Sequence, residues 1–203
     1  MNDCFHGIVD RFVSSSADFA RRLRLVRPEQ WSDPTPCTEW NVRLLVNHMA
    51  GGNLNYVGLV EGATSADFLR RRDQDVLGED PVGAYDRSVR ACAEAFSRPG
   101  ALQRTLDYPL GEVTARQALA VRVTDSAVHT WDLARALDVD DRLDPGLVAW
   151  IEGNLDAIYA GLAETPTASR TSGRFFAAPE GVLPDGASRR SRLLHRMGRS
   201  LAG

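Results

Sequence analysis

Side chains that can bind a metal or act as a nucleophile are scarce in this sequence of 203 residues, which has four histidines and three cysteines. The histidines are His6, His48, His129 and His195, and the cysteines are Cys4, Cys37 and Cys92. The cysteines are odd in number, widely spaced and without a Cys-x-x-Cys pair, which indicates neither a disulfide framework nor a thiolate zinc knuckle. Any metal site or nucleophile must therefore come from a very short list.

The spacing of Asp125 and His129 is typical of two metal ligands on one helix. They are four residues apart, so their side chains stack on one face about 5–6 Å apart at Cβ. Valines and leucines flank that face on both sides, so we expect it to face the interior of a helix bundle or the opening at the end of the bundle. His48 lies on a second, partly buried helical face. Helix bundles assemble metal sites in this way, from one ligand on one helix and an i, i+4 pair on another.

Together, His48, Asp125 and His129 form a set of two histidines and one carboxylate. Such a set leaves a coordination position open, as catalytic sites do, and its donors suit Zn, Ni or Fe(II) better than Mg or Ca. A simpler interpretation stays open. A lone histidine on a half-apolar helix is often a hydrogen-bonded core residue, and an Asp–His pair at i, i+4 is common on helix surfaces.

Other residues near these positions have two interpretations each. Gly51 and Gly52, just after His48, indicate either a cavity beside the metal or close helix packing. Asp132 and Thr124 either orient a ligand or are solvated helix residues, and we favour the second for both. Cys37 precedes a helix N-terminus, where the dipole lowers a thiol pKa, but we interpret it as a packed structural cysteine. We expect Trp40 and Trp131 to be core or pocket wall, and His6 and His195 to be exposed.

Apolar periodicity, caps and turn residues predict the elements that position these side chains. Helices are predicted over about 4–26, 39–61, 81–98, 115–137, 145–162 and 188–201, with N-caps at Thr38, Asp80, Thr114 and Asp144. A small irregular hairpin is predicted over 103–113, and segment 164–187 is expected to wrap over the surface. The favoured architecture is an all-α antiparallel four-helix bundle with a small hairpin and a C-terminal extension, in one domain over 1–203. A non-bundle all-α fold is the alternative.

Composition narrows the class of protein further. The chain is 43% hydrophobic and 25% charged, with a net charge of −3. It has no apolar run of about 18 residues and no secretory signal, so we expect a cytoplasmic protein that does not bind a membrane. Its mild acidity argues against nucleic-acid binding. The arginine clusters at 70–72 and 189–192 are interpreted as solvated faces.

Two stretches resemble a known superfamily: TPCTEWNVRLLVNHMAGGN at 35–53 and DSAVHTWDLARA at 125–136. They are similar to the actinobacterial metal-binding branch of the DinB/YfiT-like superfamily, which includes the N-terminal domain of mycothiol-dependent maleylpyruvate isomerase. The resemblance covers most of the chain. It implies a four-helix bundle that holds a divalent metal, usually zinc or nickel, through a histidine of the second helix and an acid-x-x-x-His pair. These positions correspond to His48, Asp125 and His129.

The resemblance also implies a function, with two departures. The carboxylate is Asp125 where the isomerase pattern has glutamate, and the sequence ends without the isomerase's further C-terminal domain, which disfavours maleylpyruvate as substrate. We expect an enzyme, a thiol transferase or isomerase, that uses zinc (or nickel or iron) and a mycothiol-like thiol on a small electrophilic metabolite. We expect a monomer or homodimer. The alternatives are a non-catalytic metal- or ligand-binding bundle and a metal-assisted hydrolase.

Overall fold

Seven α-helices and a two-stranded antiparallel sheet make up the residues that the computed structural model describes, 4–162 and 181–200. The helices are α1 (Ile8–Leu23), α2 (Val42–Glu61), α3 (Ser65–Arg71), α4 (Pro81–Ser97), α5 (Ala115–Leu137), α6 (Pro145–Ile158) and α7 (Arg189–Arg196). The strands are β1 (Thr105–Tyr108) and β2 (Gly111–Thr114). This confirms the predicted all-α class with a small hairpin.

The four longest helices, α1, α2, α4 and α5, form the bundle. Helix α1 packs against α4 and α5, and α2 packs against the same two helices. Apolar stripes drive this packing: Phe12 and Phe19 of α1 and Leu45 and Met49 of α2 are fully buried. Helix α5 also packs against the hairpin and α6, so it is buried on most of its circumference. The central position of α5 explains how it can present polar side chains to the interior.

Caps set most helix ends where the sequence predicts them. The side chains of Asp80, Thr114 and Asp144 accept hydrogen bonds from backbone N–H groups three residues later. Gly62 ends α2 in a left-handed conformation with φ +107°. Thr114 and Gln117 do not form a capping box, because the Gln117 side chain donates to the carbonyls of residues 158 and 160.

The start of α2 also differs from its prediction. The helix begins at Val42 rather than at 39, and Asn41, not Thr38, is its N-cap. The Asn41 side chain accepts a hydrogen bond of 2.9 Å from the backbone N–H of Leu44. The loop before it is held by a bridge between Pro34 and Asn41, which extends the non-helical segment by three residues.

Substitution of the two rival caps tests this assignment. We expect Asn41→Ala to lower the free energy of unfolding by about 1 kcal/mol, because one N–H of the first turn loses its acceptor. The matched control is Thr38→Ala, which removes an exposed hydroxyl from the loop and should leave stability unchanged. Urea denaturation of both variants measures the difference. Equal losses would contradict the assignment of Asn41.

Three further differences lie at the periphery. Helix α3 was not predicted, because it buries no residue and depends on a capping box between Thr64 and Asp67. Helix α7 ends at Arg196, before Gly198 with φ +71°, rather than continuing to 201. Helix α6 ends at Ile158, not 162. Most of the predicted surface segment 164–187 lies outside the described residues.

Within the described ranges, no helix combines the length and hydrophobicity needed to cross a bilayer.

Candidate metal centre

The structure brings the three predicted ligands together where α2 faces α5. His48 Nε2 lies 3.2 Å from Asp125 Oδ2, and His129 Nε2 lies 3.1 Å from Asp125 Oδ1. The His129 side chain is 3% exposed, whereas that of His48 is 27% exposed. The cluster therefore lies at the rim of the bundle and opens to solvent on the His48 side.

These side chains fit a divalent transition metal. One ligand atom from each of His48, Asp125 and His129 lies within 4.8 Å of the other two. Ligands at ~2.0–2.1 Å from a tetrahedral zinc ion lie about 3.3–3.4 Å apart. Each imidazole Nε2 lies at a similar distance from one oxygen of the Asp125 carboxylate, His48 from Oδ2 and His129 from Oδ1. Two imidazoles and one carboxylate are a catalytic-type donor set that leaves a position for an exogenous ligand. Their role as metal ligands stays a prediction.

The charges of the three groups depend strongly on one another. Burial lowers the pKa of His48 below its ordinary value, although Asp125 opposes this. Burial alone would raise the pKa of Asp125, but His129 and His48 outweigh it and hold that pKa well below its usual range. Burial alone would lower the pKa of His129, but Asp125, Asp132 and Cys37 raise it well above the ordinary value. These shifts favour the charged forms of Asp125 and His129, and a metal bound here would compete with the proton for His129.

A second layer of side chains orients His129. Its Nδ1 lies 2.8 Å from Asp132 Oδ2, so a proton on Nδ1 is donated to Asp132 and Nε2 faces Asp125. The Arg199 guanidinium binds both oxygens of Asp132, with Nε 2.7 Å from Oδ1 and Nη2 2.6 Å from Oδ2. Burial would raise the pKa of Asp132, but the bonds from His129 and Arg199 outweigh it and lower that pKa. The interpretation of Asp132 as a solvated residue is wrong, since it is fully buried.

Cys37 belongs to the same layer. Its Sγ lies 3.3 Å from Asp132 Oδ2, 3.1 Å from Arg199 Nη2 and 3.9 Å from His129 Nδ1. Cys37, His129 and Asp132 also form a three-donor group by distance. However, the Arg199 guanidinium contacts two of these donors, and its fixed charge repels a second cation at this position. The contacts favour the interpretation of Cys37 as a packed cysteine.

The loop before α2 carries Cys37 and Trp40 to the site. The Thr35 hydroxyl donates to the Trp40 carbonyl at 2.8 Å, and the Trp40 N–H donates to the Cys37 carbonyl at 2.7 Å, which folds the loop back on itself. The Trp40 ring then lies 4.5 Å from the His48 ring and 5.6 Å from the His129 ring, measured between centroids. Trp40 is thus a wall of the site. Trp131 is buried elsewhere and donates to Asp141.

Two buried arginines are functional candidates that the sequence pattern did not reveal. Arg122 binds Asp125 Oδ2, and Arg199 binds Asp132. Arg122 precedes Asp125 by three residues on α5, and this i, i+3 spacing was an available signal. Arg199 is 67 residues from Asp132 in the chain and had no local signal.

The remaining predicted positions lie outside the centre. Thr124 is buried and donates to the Ala120 carbonyl within α5, so it is not solvated as expected. His6 is exposed as expected, whereas His195 is half-buried, with its Nε2 3.2 Å from the Gly181 carbonyl oxygen. Among the described residues, neither histidine joins a group with metal-ligand spacing.

Comparison with solved structures supports the fold. The chain is similar to the crystal structure of a mycothiol-dependent maleylpyruvate isomerase, with a TM-score of 0.59 and 13% sequence identity, over 74% of this chain and 69% of that one. A mutant of that enzyme matches over the same shares with 12% identity and the same TM-score. At this level of identity the likeness concerns the fold alone.

Sequence comparison identifies the family. Two uncharacterized proteins of Mycobacterium tuberculosis, from strains CDC 1551 / Oshkosh and ATCC 25618 / H37Rv, are each 35% identical to this chain over 129 residues. The match covers 64% of this chain and 66% of each relative. The family model described as the mycothiol maleylpyruvate isomerase N-terminal domain matches residues 12–134, a range that includes all three candidate ligands. The chain therefore belongs to the family of mycothiol maleylpyruvate isomerase N-terminal domains.

Proposed function

We propose that this chain is a divalent-metal-dependent enzyme that uses a low-molecular-weight thiol, of the mycothiol class, on a small electrophilic metabolite. The reaction is an isomerisation or a transfer of the thiol. The observation that carries this proposal is the convergence of His48, Asp125 and His129 at an open rim, with one ligand atom from each within 4.8 Å of the other two. Family membership supports the thiol, since the related isomerase is mycothiol-dependent. Zinc is the metal that the donor set favours, with nickel or iron as alternatives.

The chain's own residues prepare the site for this chemistry. His48, Asp125 and His129 would hold the metal, which when bound would favour the deprotonated form of a coordinated thiol, the nucleophile. Asp132 accepts the Nδ1 proton of His129 and so fixes the ring with Nε2 towards the site. The Trp40 ring lies against both imidazoles and forms one wall of the site. The side of the site at His48, whose side chain is 27% exposed, is where thiol and substrate would enter.

Elemental analysis tests the metal. Protein purified without an affinity tag should contain about one Zn, Ni or Fe per chain, because three ligands define one site. The double variant His48→Ala/His129→Ala should lose this metal, since only a carboxylate remains. His6→Ala/His195→Ala is the matched control, because it removes two histidines outside the centre, and it should retain the metal. A folded wild type without metal after incubation with these ions would refute the proposal.

A thiol-dependence assay tests the reaction. The metal-loaded protein is incubated with mycothiol and a panel of small electrophiles, and products are identified by mass spectrometry. We expect products that require both thiol and protein and that are absent with the double variant. Thiol-independent cleavage of esters or amides would identify a hydrolase instead. Metal and thiol binding without any turnover would identify a non-catalytic binding protein.

A further inference from the structure

Arg122 is a buried cation whose contacts converge on the metal centre. Arg122 is 1% exposed, the lowest exposure of any arginine among the described residues. One Nη donates to Asp125 Oδ2, the other donates to the Met49 carbonyl, and Nε donates to Asn53 Oδ1 at 2.8 Å. Each side of the planar guanidinium is therefore fixed, and the group cannot swing away from Asp125 without breaking bonds to α2.

Helix α2 has a notch that accommodates this guanidinium. A Cβ atom on Gly52 would lie 2.7 Å from Arg122 Nη1 and 2.9 Å from its Cζ, closer than such atoms can approach. Of the two interpretations of Gly52, a cavity or close packing, the contact with Arg122 supports close packing. Gly51 has room for a side chain, since a Cβ atom there would lie 3.8 Å from the Val76 side chain, an ordinary van der Waals distance. The absence of a side chain at 52, rather than 51, brings Arg122 close to α2.

The arginine changes the charge that the protein presents to a metal. Asp125 forms an ion pair with Arg122, and Asp132 forms one with Arg199. Both carboxylates of the centre are therefore neutralised by a guanidinium. Histidines must be neutral to bind a metal. With His48 and His129 neutral, these four charged side chains cancel, and a divalent metal retains its full charge of 2+. A centre of this kind attracts anions to its open position, and burial strengthens the attraction.

We propose that Arg122 is a positioning residue of the metal centre, which holds Asp125 and cancels its charge so that the open position selects anionic ligands over neutral ones. Gly52 is the position that makes this possible. The inference rests on the metal site of the proposed function but not on the thiol or the reaction. It assigns the ligands a chemical class: an ionised donor, such as a thiolate or a carboxylate.

The test compares an anionic with a neutral probe on protein loaded with Co²⁺. Azide and imidazole each bind an open cobalt position, and the visible spectrum reports both affinities. For Arg122→Met, we expect azide affinity to fall about tenfold or more while imidazole affinity changes by less than about threefold, because only the anion senses the lost charge. Arg122→Lys keeps the charge and should retain azide binding within about threefold of wild type.

Paired glycine variants test the same inference without removing the arginine. Gly52→Ala should displace the guanidinium from Asp125 and weaken azide binding relative to imidazole binding. Gly51→Ala is the matched control, on the same helix with room for its Cβ, and should bind both probes as wild type does. Circular dichroism and elemental analysis establish that each variant is folded and loaded before titration.

The outcomes separate this inference from the proposed function. A wild type that binds no cobalt would refute both. A loaded wild type whose Arg122→Met variant loses azide and imidazole affinity equally, or loses neither, would refute only the inference, since an equal loss means a merely structural role. A selective loss of azide affinity that Arg122→Lys restores would support it, whether or not the protein uses a thiol.

Discussion

Arg199→Met is expected to lower the free energy of unfolding by about 3–5 kcal/mol, because removal of one partner leaves a buried charge uncompensated. Arg199 is 6% exposed, and Asp132 is fully buried. The guanidinium binds both oxygens of that carboxylate and also contacts Cys37 Sγ. Methionine fills much of the same volume, so the loss reports on the charge rather than on a cavity.

The control for this prediction is an ion pair of the same geometry on the surface. Arg142 also contacts both oxygens of an aspartate, Asp140, but its side chain is 83% exposed. Arg142→Met should therefore cost only about 0–1 kcal/mol. Chemical denaturation with a chelator present measures both variants without a contribution from bound metal.

A double variant distinguishes the lost charge from other effects. Arg199→Met/Asp132→Asn retains an acceptor for His129 and buries no unpaired charge. We expect it to be more stable than Arg199→Met alone, although one more side chain is changed. A further loss on adding Asp132→Asn would contradict this account of the pair.

Asp125→Asn is expected to weaken metal binding by more than about 100-fold, because the loss of a ligand's charge should exceed the 10–100-fold cost of losing an outer-shell partner. Asparagine has nearly the same shape, so the imidazoles of His48 and His129 keep their places. The substitution also removes the negative charge that pairs with Arg122, so an unpaired guanidinium would lie beside the metal. Both effects act against a cation.

Competition with a chromogenic chelator measures this loss, and Asp132→Asn is the matched control. Asp132 contacts His129 but is not a predicted ligand, so its substitution should cost metal affinity only about 10–100-fold. The expected order of affinity is therefore wild type, then Asp132→Asn, then Asp125→Asn. Wild-type affinity in Asp125→Asn would show that this carboxylate is not a ligand.

Much of the fold was predictable because it depends on local patterns. Helix α5 occupies Ala115–Leu137, the range that its cap at Thr114 and its lack of proline and glycine predict. A helical face is set by a period of 3.6 residues, so the positions of Asp125 and His129 on one face follow from their spacing. Their meeting with His48 also follows, once the two buried faces are packed together.

Other parts of the site depend on contacts between residues far apart in the chain. Arg199 reaches Asp132 only after Gly198, with φ +71°, turns the chain at the end of α7. Gly52 and Arg122 meet across two helices, and no period in either helix indicates which glycine lies against the arginine. From the sequence alone, Asp132 is indistinguishable from a solvated helix residue. Its burial and its ion pair with Arg199 are visible only in the structure.

The amino-acid pattern alone was thus sufficient to predict the four long helices, the bundle class and the three side chains that converge on its rim. Only the tertiary structure decided which charges accompany them. The physical reason is that a helical period determines which residues share a buried face. A buried charge, in contrast, must find a counter-charge wherever packing brings one within hydrogen-bond distance. Arg122 and Arg199 are these counter-charges, and we expect them to determine what the centre binds.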